Sequence, residues 1–398
     1  MKQFLRIDNL IITVIIFVFM WLFTLIPFKL IFLDPITKSL ADFEMYDVVF
    51  SKIREEQQVD TNIVLINIRQ LDRKGIAQQI ALVNNYQPKV IGIDALFLER
   101  RDTLSDNLLA LSFSFCSNLV LASKLNNFIE ELNRYDSLVL PHPLFMGYAN
   151  TGFANLPTNN INSKTIRMFK PTAKLKNGLA SSFALEVVKA FDKSAYLELF
   201  ERGNSSETIN YRGNFNKFYL LDYADLNSSA VDLSFIKDKI VIMGYIGPSV
   251  AQKDLEDIYF TPLNENYAGR SYPDMYGVVI HANIISMILN RNYINVMPKW
   301  LSFLLAFLMC YVNVYLVKLI YENITDYYGG LVKLLISFQM ILSLIVTVQI
   351  FHLLNYKISL TIALIAIVLT PSSVVFYEKL FKNYAKSYKK KLKAKKIK

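Results

Sequence analysis

The chain has 398 residues, 53% of them hydrophobic and 13% aromatic, with a formal net charge of +10. So apolar a composition excludes an ordinary water-soluble protein and turns attention to membrane spans. The charge is local: the segment from Glu378 onward holds ten lysines against one acid, which leaves the remainder nearly neutral and without the basic surface that nucleic acid requires.

Charge-free apolar runs occupy Leu10 to Phe28, Leu301 to Val317, Leu334 to Leu354 and Ile358 to Tyr377, each close to the roughly 20 residues that cross a bilayer as helix. The first run exceeds the roughly 7–15 residues of a signal-peptide core, so it reads as an uncleaved anchor. Lys2 and Arg6 before it and the lysines behind the last run predict that both termini are cytoplasmic and that the long block between the first two runs faces outward. The expected segments are a cytoplasmic N-terminus over 1–9, a span over 10–33, an outer domain over 34–299, spans over 300–321, 331–354 and 357–377, and a lysine-rich cytoplasmic tail over 378–398. Cys116 in the outer block and Cys310 in the second span lie on different sides of the membrane boundary, so no structural disulfide is expected. Gln339, Gln349 and His352 are the polar residues noted within the later spans, and helix–helix contact is their expected role.

Within the outer block, Pro35 to Gln58 reads as a stalk helix. Asn62 to Ile68 and Val90 to Asp94 are apolar runs that suit strands covered on both faces. Between them, Leu71 to Tyr86 repeats Ile76, Ile80 and Val83 at helical spacing with Gln78, Gln79 and Asn84 outward, completing a strand–helix–strand unit with parallel strands. A helix over Thr103 to Phe115 is expected to bury Leu104, Leu108, Leu111 and Phe115, and Asn118 to Ala122 forms a third strand. Pro141, Pro143, Pro157 and Pro171 break up residues 126–176 into an irregular excursion. Ser181 to Phe191 and Val278 to Leu289 read as helices, and Thr208 to Tyr211 and Lys239 to Gly244 as strands. The predicted fold is an α/β extracytoplasmic domain with a mainly parallel sheet, joined to four transmembrane helices.

Ligands of open parallel sheets sit beyond the carboxyl ends of the strands, where this arrangement puts Asn67, Arg69 and Asp94. Asp94 suits an amine or hydroxyl, or alternatively a turn cap or an arginine partner. Arg167 and Arg212 present guanidinium forks to an anion, or form domain salt bridges with Asp94 or Asp257. Gly244, opening Gly244-Tyr-Ile-Gly247, permits an anion nest or simply a tight turn. Asp257 reads as a loop lock with Thr261 and Pro262. His281 reads first as a satisfied interior histidine and is carried as a ligand-binding candidate beside the others. The three histidines are scattered, no paired nucleophile and base can be assembled, and phosphate-loop and dinucleotide motifs are missing, so no metal, no cofactor and no enzymatic activity are expected.

Val90 to Phe97, Gly152-Phe-Ala-Asn155 with Arg167, Ile209-Asn-Tyr-Arg-Gly213, Lys239 to Gly244, Asp257 to Pro262 and Gly277 to Asn283 occur in an order that resembles the type 2 CHASE domain family. The resemblance implies an extracytoplasmic sensory module with one anchor before it and three spans after it, of a kind found with cyclases and histidine kinases. Two departures stand out. The first strand ends in Asn67 where the family tends to an acidic residue, and Asn159, Asn160 and Asn162 replace an acidic turn; both remove negative charge from the suspected ligand side and so reduce any response to a cation or amine. The residues after Tyr377 are too few for an output domain. The expected function is therefore an inner-membrane receptor that binds an unknown small ligand or periplasmic protein and signals through a separate membrane or cytoplasmic partner, with anionic lipid at the lysine tail, and the arrangement is compatible with a homodimer. A structural subunit of an envelope complex is the alternative, and an outward-facing enzyme ranks below both.

Overall fold

The computed structural model describes residues 4–25, 46–157, 165–228, 230–249, 255–264, 272–324 and 326–382. Asn159, Asn160, Asn162, most of the expected stalk and the lysine tail from residue 383 lie outside the described residues. The chain divides into one unit of Met1–Asp34 with Asn295–Lys398 and a second of Pro35–Ile294.

Helix α1 (Ile7–Thr24) begins the first unit. In the second, β1 (Asp60–Asn67), α2 (Arg73–Asn84) and β2 (Val90–Asp94) follow one another as the apolar runs require. Asp72 caps α2 by accepting from the Gly75 amide, and Asp102 caps α3 (Thr103–Ser114) by accepting from Ser105. The chain continues through β3 (Leu119–Ile129), β4 (Arg134–Val139), β5 (Asn150–Phe153), β6 (Met168–Phe169), β7 (Thr172–Leu175) and β8 (Gly178–Ser181). Helices α4 (Phe183–Phe191) and α5 (Lys193–Arg202), strands β9 (Glu207–Thr208), β10 (Phe218–Leu221), β11 (Ile240–Gly244), β12 (Ile258–Tyr259) and β13 (Met275–Tyr276), and helix α6 (Gly277–Leu289) complete it.

The central sheet runs β10-β1-β11-β2-β3-β4, with β5 also paired to β3. Every pairing is parallel except β3 with β4. β1 and β2 are parallel as expected of a strand–helix–strand unit, but β11 lies between them. The register aligns Asn67, Gly244 and Asp94 across the carboxyl ends of β1, β11 and β2. Because side chains alternate along a strand, Val64, Ile66, Ile91, Ile93, Val241 and Met243 meet α2 and α3 on one face. Gly92 and Asp94 point to the opposite face, where a Cβ on Gly92 would touch Phe183 and Val187 of α4. Helices therefore cover both faces, as continuous apolar strands demand.

Several expectations are corrected. α3 forms, but Leu104, Leu108, Leu111 and Phe115 are exposed while Leu109, Ala110 and Phe113 are buried. Asp106 decides the rotation: it is fully buried in an ion pair with Arg73 of α2 and accepts from the Arg101 amide at 3.0 Å. Gln79 is likewise buried, donating to the Asn67 carbonyl at 3.3 Å. Residues 126–157 and 165–176 are more regular than their prolines suggest, since β3 and β4 form a hairpin and β5 through β8 follow. Of Thr208 to Tyr211 only Thr208 is in a strand; Asn210 and Tyr211 are held by side-chain bonds instead.

In the first unit, α7 (Lys299–Asn323), α8 (Tyr328–Leu354) and α9 (Thr361–Phe376) join α1. α1, α7, α8 and the helix Thr361–Leu380 that α9 begins are each long and apolar enough to cross a membrane. Ile12, Ile16, Cys310, Val314, Ala366 and Val374 pack at their centre. Polar groups missed in the sequence are buried there: Asn313 donates to the Ile367 carbonyl at 3.2 Å, and Lys318 lies 3.2 Å from Asp8 and 3.7 Å from Glu378. Both are held within the bundle by a partner, as membrane burial requires.

Candidate functional site

The carboxyl end of β2 delivers Asp94, that of β3's parallel half delivers Ser123 and Lys124, and the first turns of α6 deliver Gly277 and His281. Together with Glu256, Asp257 and Tyr259 they line an open cavity of about 590 Å³ in the α/β unit. This is where an open parallel sheet presents ligands. Two glycines make the convergence sterically possible. At Gly244 a Cβ would stand 2.7 Å from the Val278 Cβ, so the bare backbone lets the start of α6 press against the end of β11. At Gly277 a Cβ would stand 2.9 Å from the Asp257 carboxylate, so the missing side chain leaves room for that oxygen.

The electrostatics follow from burial. Asp94 keeps 13% side-chain exposure and makes no hydrogen bond among the described residues; burial pushes its carboxyl up to about 7. Asp257 stands at the exposed mouth with φ 50°, and its carboxyl rises to about 6, first through desolvation and then through the charge of Asp94. It accepts from the Tyr259 hydroxyl at 3.1 Å, and Tyr259 is raised in turn by burial and then by Asp257. His281 is buried and pushed down to about 4 by desolvation, against the opposing pull of Asp257. Its Nε2 lies 3.9 Å from Asp94, a distance that suits an ion pair only for a protonated ring, so at neutral pH the two are neighbours without a salt bridge. The Nδ1 of His281 and the Oγ of Ser123 are buried and have no partner among the described residues. The expectation of a satisfied interior histidine is thus corrected: the ring is interior, with the Ala154 backbone beside it, and its Nδ1 has no partner among the described residues.

Of the six candidates, Asp94, Asp257 and His281 come together in this cavity, and Gly244 adjoins it, 3.4 Å from the Asp94 Cβ when given one of its own. The amide of Ile246, which an anion nest would need, is taken by Asn67 Oδ1 at 3.0 Å, so Gly244 serves packing. Arg167 and Arg212 are elsewhere. Arg167 forms a buried two-pronged pair with Asp47, at 3.0 and 2.7 Å, rather than with Asp94 or Asp257. Arg212 bonds Ser286 at 2.8 Å and the Gln58 carbonyl at 2.8 Å and lies 3.7 Å from Asp60. Its segment is fastened to α6 by Asn283, which accepts from the Arg212 amide at 2.8 Å and donates to the Gly213 carbonyl at 2.9 Å. The expected lock of Asp257 with Thr261 is made by Asp274, which accepts from the Thr261 amide at 2.8 Å.

Asn67 does not change the cavity's charge. It is fully buried and bonded to Gly247, Arg69 and Ile246, outside the lining. Ser123, Glu256 and Tyr259 escaped the sequence reading. The strand-end rule that singled out Asp94 would have found Ser123, one residue past the apolar run Leu119 to Ala122; Glu256 and Tyr259 carry no such signal. Among the described residues no cluster of metal-ligating side chains occurs.

The model of the CHASE2 domain family matches residues 12–315 of the chain. No curated protein and no solved structure matches it.

Proposed function

The chain belongs to the CHASE2 domain family, whose domain is an extracellular sensory one, and on that premise we propose that it is a membrane receptor module taking a small ligand in the cavity at the carboxyl ends of β2 and β3. The observation that carries this reading is the meeting of a desolvated, unbonded Asp94 with two unpartnered buried polar atoms in a cavity of ligand size. α6 forms one wall of that cavity, and ten residues of chain later α7 begins. A ligand that binds two states of the α/β unit unequally would bias the position of α6, and the covalent connection offers the route to the membrane. We take the membrane to be the bacterial inner membrane with both termini cytoplasmic, because Lys2, Arg6 and the lysines after Tyr377 flank the outermost spans. The module acts without catalysis, and a separate polypeptide receives its signal.

The test uses the full chain purified from native membranes in mild detergent, with cysteines introduced at positions 292 and 299. A retained small molecule, detected by native mass spectrometry, should be lost from Asp94→Asn, and crosslinking between neighbouring copies should differ between loaded and stripped protein. Identical crosslinking in the two states would remove the signalling reading. A second reading, a structural subunit of an envelope complex, draws on the uncharged outer face of α3, where Leu104, Leu111 and Phe115 are more than half exposed. A stoichiometric protein partner retained by ligand-free chain would favour it.

A further inference from the structure

The unsatisfied groups of the cavity can each accept a hydrogen bond: the Asp94 carboxylate, the Ser123 hydroxyl, which can also donate, and the His281 Nδ1 in its Nε2–H tautomer. Asp94 has no donor among the described residues, and its approach to His281 Nε2 is too long to supply one. His281 is neutral, and the nitrogen facing away from Asp94, Nδ1, has no partner. Ser123 Oγ is 0% exposed and also unpartnered. The charged groups facing Asp94 are Asp257 and Glu256 from the loop before β12 and Lys124 from β3, with Tyr259 and His281 as the other titratable neighbours. Among the described lining residues three carboxyl groups therefore stand with one lysine, and that lysine is exposed. The acidic cluster is accompanied in the same lining by two buried polar atoms, Ser123 Oγ and His281 Nδ1, that have no partner among the described residues, which a set of carboxylates serving only solubility would not have.

We infer that the ligand is a small aliphatic amine whose ammonium group is held between Asp94 and Asp257, with Ser123 Oγ accepting its third N–H and His281 Nδ1 beside it. This specifies the ligand of the receptor reading and rests on it. An ammonium group carries three donors and no acceptor, so it complements a site whose unbonded carboxylate, hydroxyl oxygen and imidazole nitrogen can all accept. Its bonds to carboxylates are charge-assisted, and it returns Asp94 to the ionised form that burial alone disfavours. An anion would add its charge to three others. A hydroxyl carries no charge and leaves the buried carboxylate uncompensated. At about 590 Å³ the cavity exceeds what a bare cation fills, and Ala95, Leu96 and Leu156 give an apolar wall for several carbons.

Proton linkage provides the test, because an amine must find Asp94 ionised. Full chain in lipid nanodiscs is titrated calorimetrically with diaminobutane, butanediol and succinate, which share a four-carbon frame with cationic, neutral and anionic ends. Only diaminobutane should bind, and its affinity should fall on the order of 100-fold from about pH 8 to about pH 5. Asp94→Asn should abolish binding, and Ser123→Ala, which removes an unbonded hydroxyl and leaves folding intact, should weaken it several-fold. Binding of butanediol or succinate, failure of diaminobutane to bind, pH-independent affinity, or full affinity in Ser123→Ala and Asp94→Asn overturns the inference. The receptor reading fails separately: a retained native molecule without an amine, with crosslinking that still responds to it, sinks the amine and spares the receptor.

Discussion

Replacing Asp94 by asparagine removes a carboxyl group that burial raises from 3.8 to about 7. For an acid with a raised folded value the neutral form is favoured by the fold. Its stabilising contribution is full below the unfolded value near 3.8 and is lost as pH rises through about 7. At roughly 1.4 kcal/mol per pKa unit, ionising Asp94 costs the ligand-free protein about 4 kcal/mol near pH 8 and less than about 2 kcal/mol near pH 5. Asp94→Asn has no such dependence, so the variant should gain about 2–3 kcal/mol on the wild type between those two pH values. His281, lowered to about 4, works with the opposite sign: stability is lost as pH falls from 6.5 toward that value. It titrates in both proteins and cancels in the difference. Asp257 owes part of its rise to Asp94 and relaxes in the variant, which adds in the same direction. The assay is urea unfolding of full chain in nanodiscs, read by pulsed labelling of Cys116, whose partly buried thiol is pushed up to about 11 and reacts slowly while folded. A variant-minus-wild-type difference that is flat with pH, or that falls as pH rises, would refute the account of Asp94.

Arg167→Met leaves Asp47 buried without its two-pronged partner and should cost about 3–5 kcal/mol in the same unfolding assay, whereas adding Asp47→Leu should recover most of it. Asn283→Ala strips bonds from the Arg212 amide and the Gly213 carbonyl and should cost about 2–3 kcal/mol, with hydrogen exchange accelerating first at residues 209–213.

How much of this was legible in the sequence depends on whether the signal was local. Val90 to Asp94 could be read as a doubly covered strand because five residues without a polar side have few other solutions, and the structure covers it on both faces. The α3 helix was legible and its orientation was not, because two apolar stripes compete around it and the choice between them is made by Arg73, on another helix. The hairpin of β3 with β4 stayed hidden because its pairing runs between half-exposed residues with no apolar alternation to announce it. Among the candidate site residues, the strand-end rule put Asp94 at the carboxyl end of β2, where it lines the cavity, while the arginines have other partners than Asp94 or Asp257 because a guanidinium's partner is set by distant residues: Asp47 for Arg167, Ser286 and Gln58 for Arg212.

By itself the sequence determined the four apolar helices, the parallel α/β character of the block between them and its family, since length, hydropathy and strand–helix alternation are properties of contiguous residues. Only the tertiary structure decided that Asp94, Ser123, Asp257 and His281 share a cavity, which the separation of 187 residues between the first and the last of them conceals. The reason is physical: burial and the loss of hydrogen-bond partners, which give those side chains their chemistry, arise from what β11 and α6 bring alongside and have no counterpart in the residues next to them in the chain.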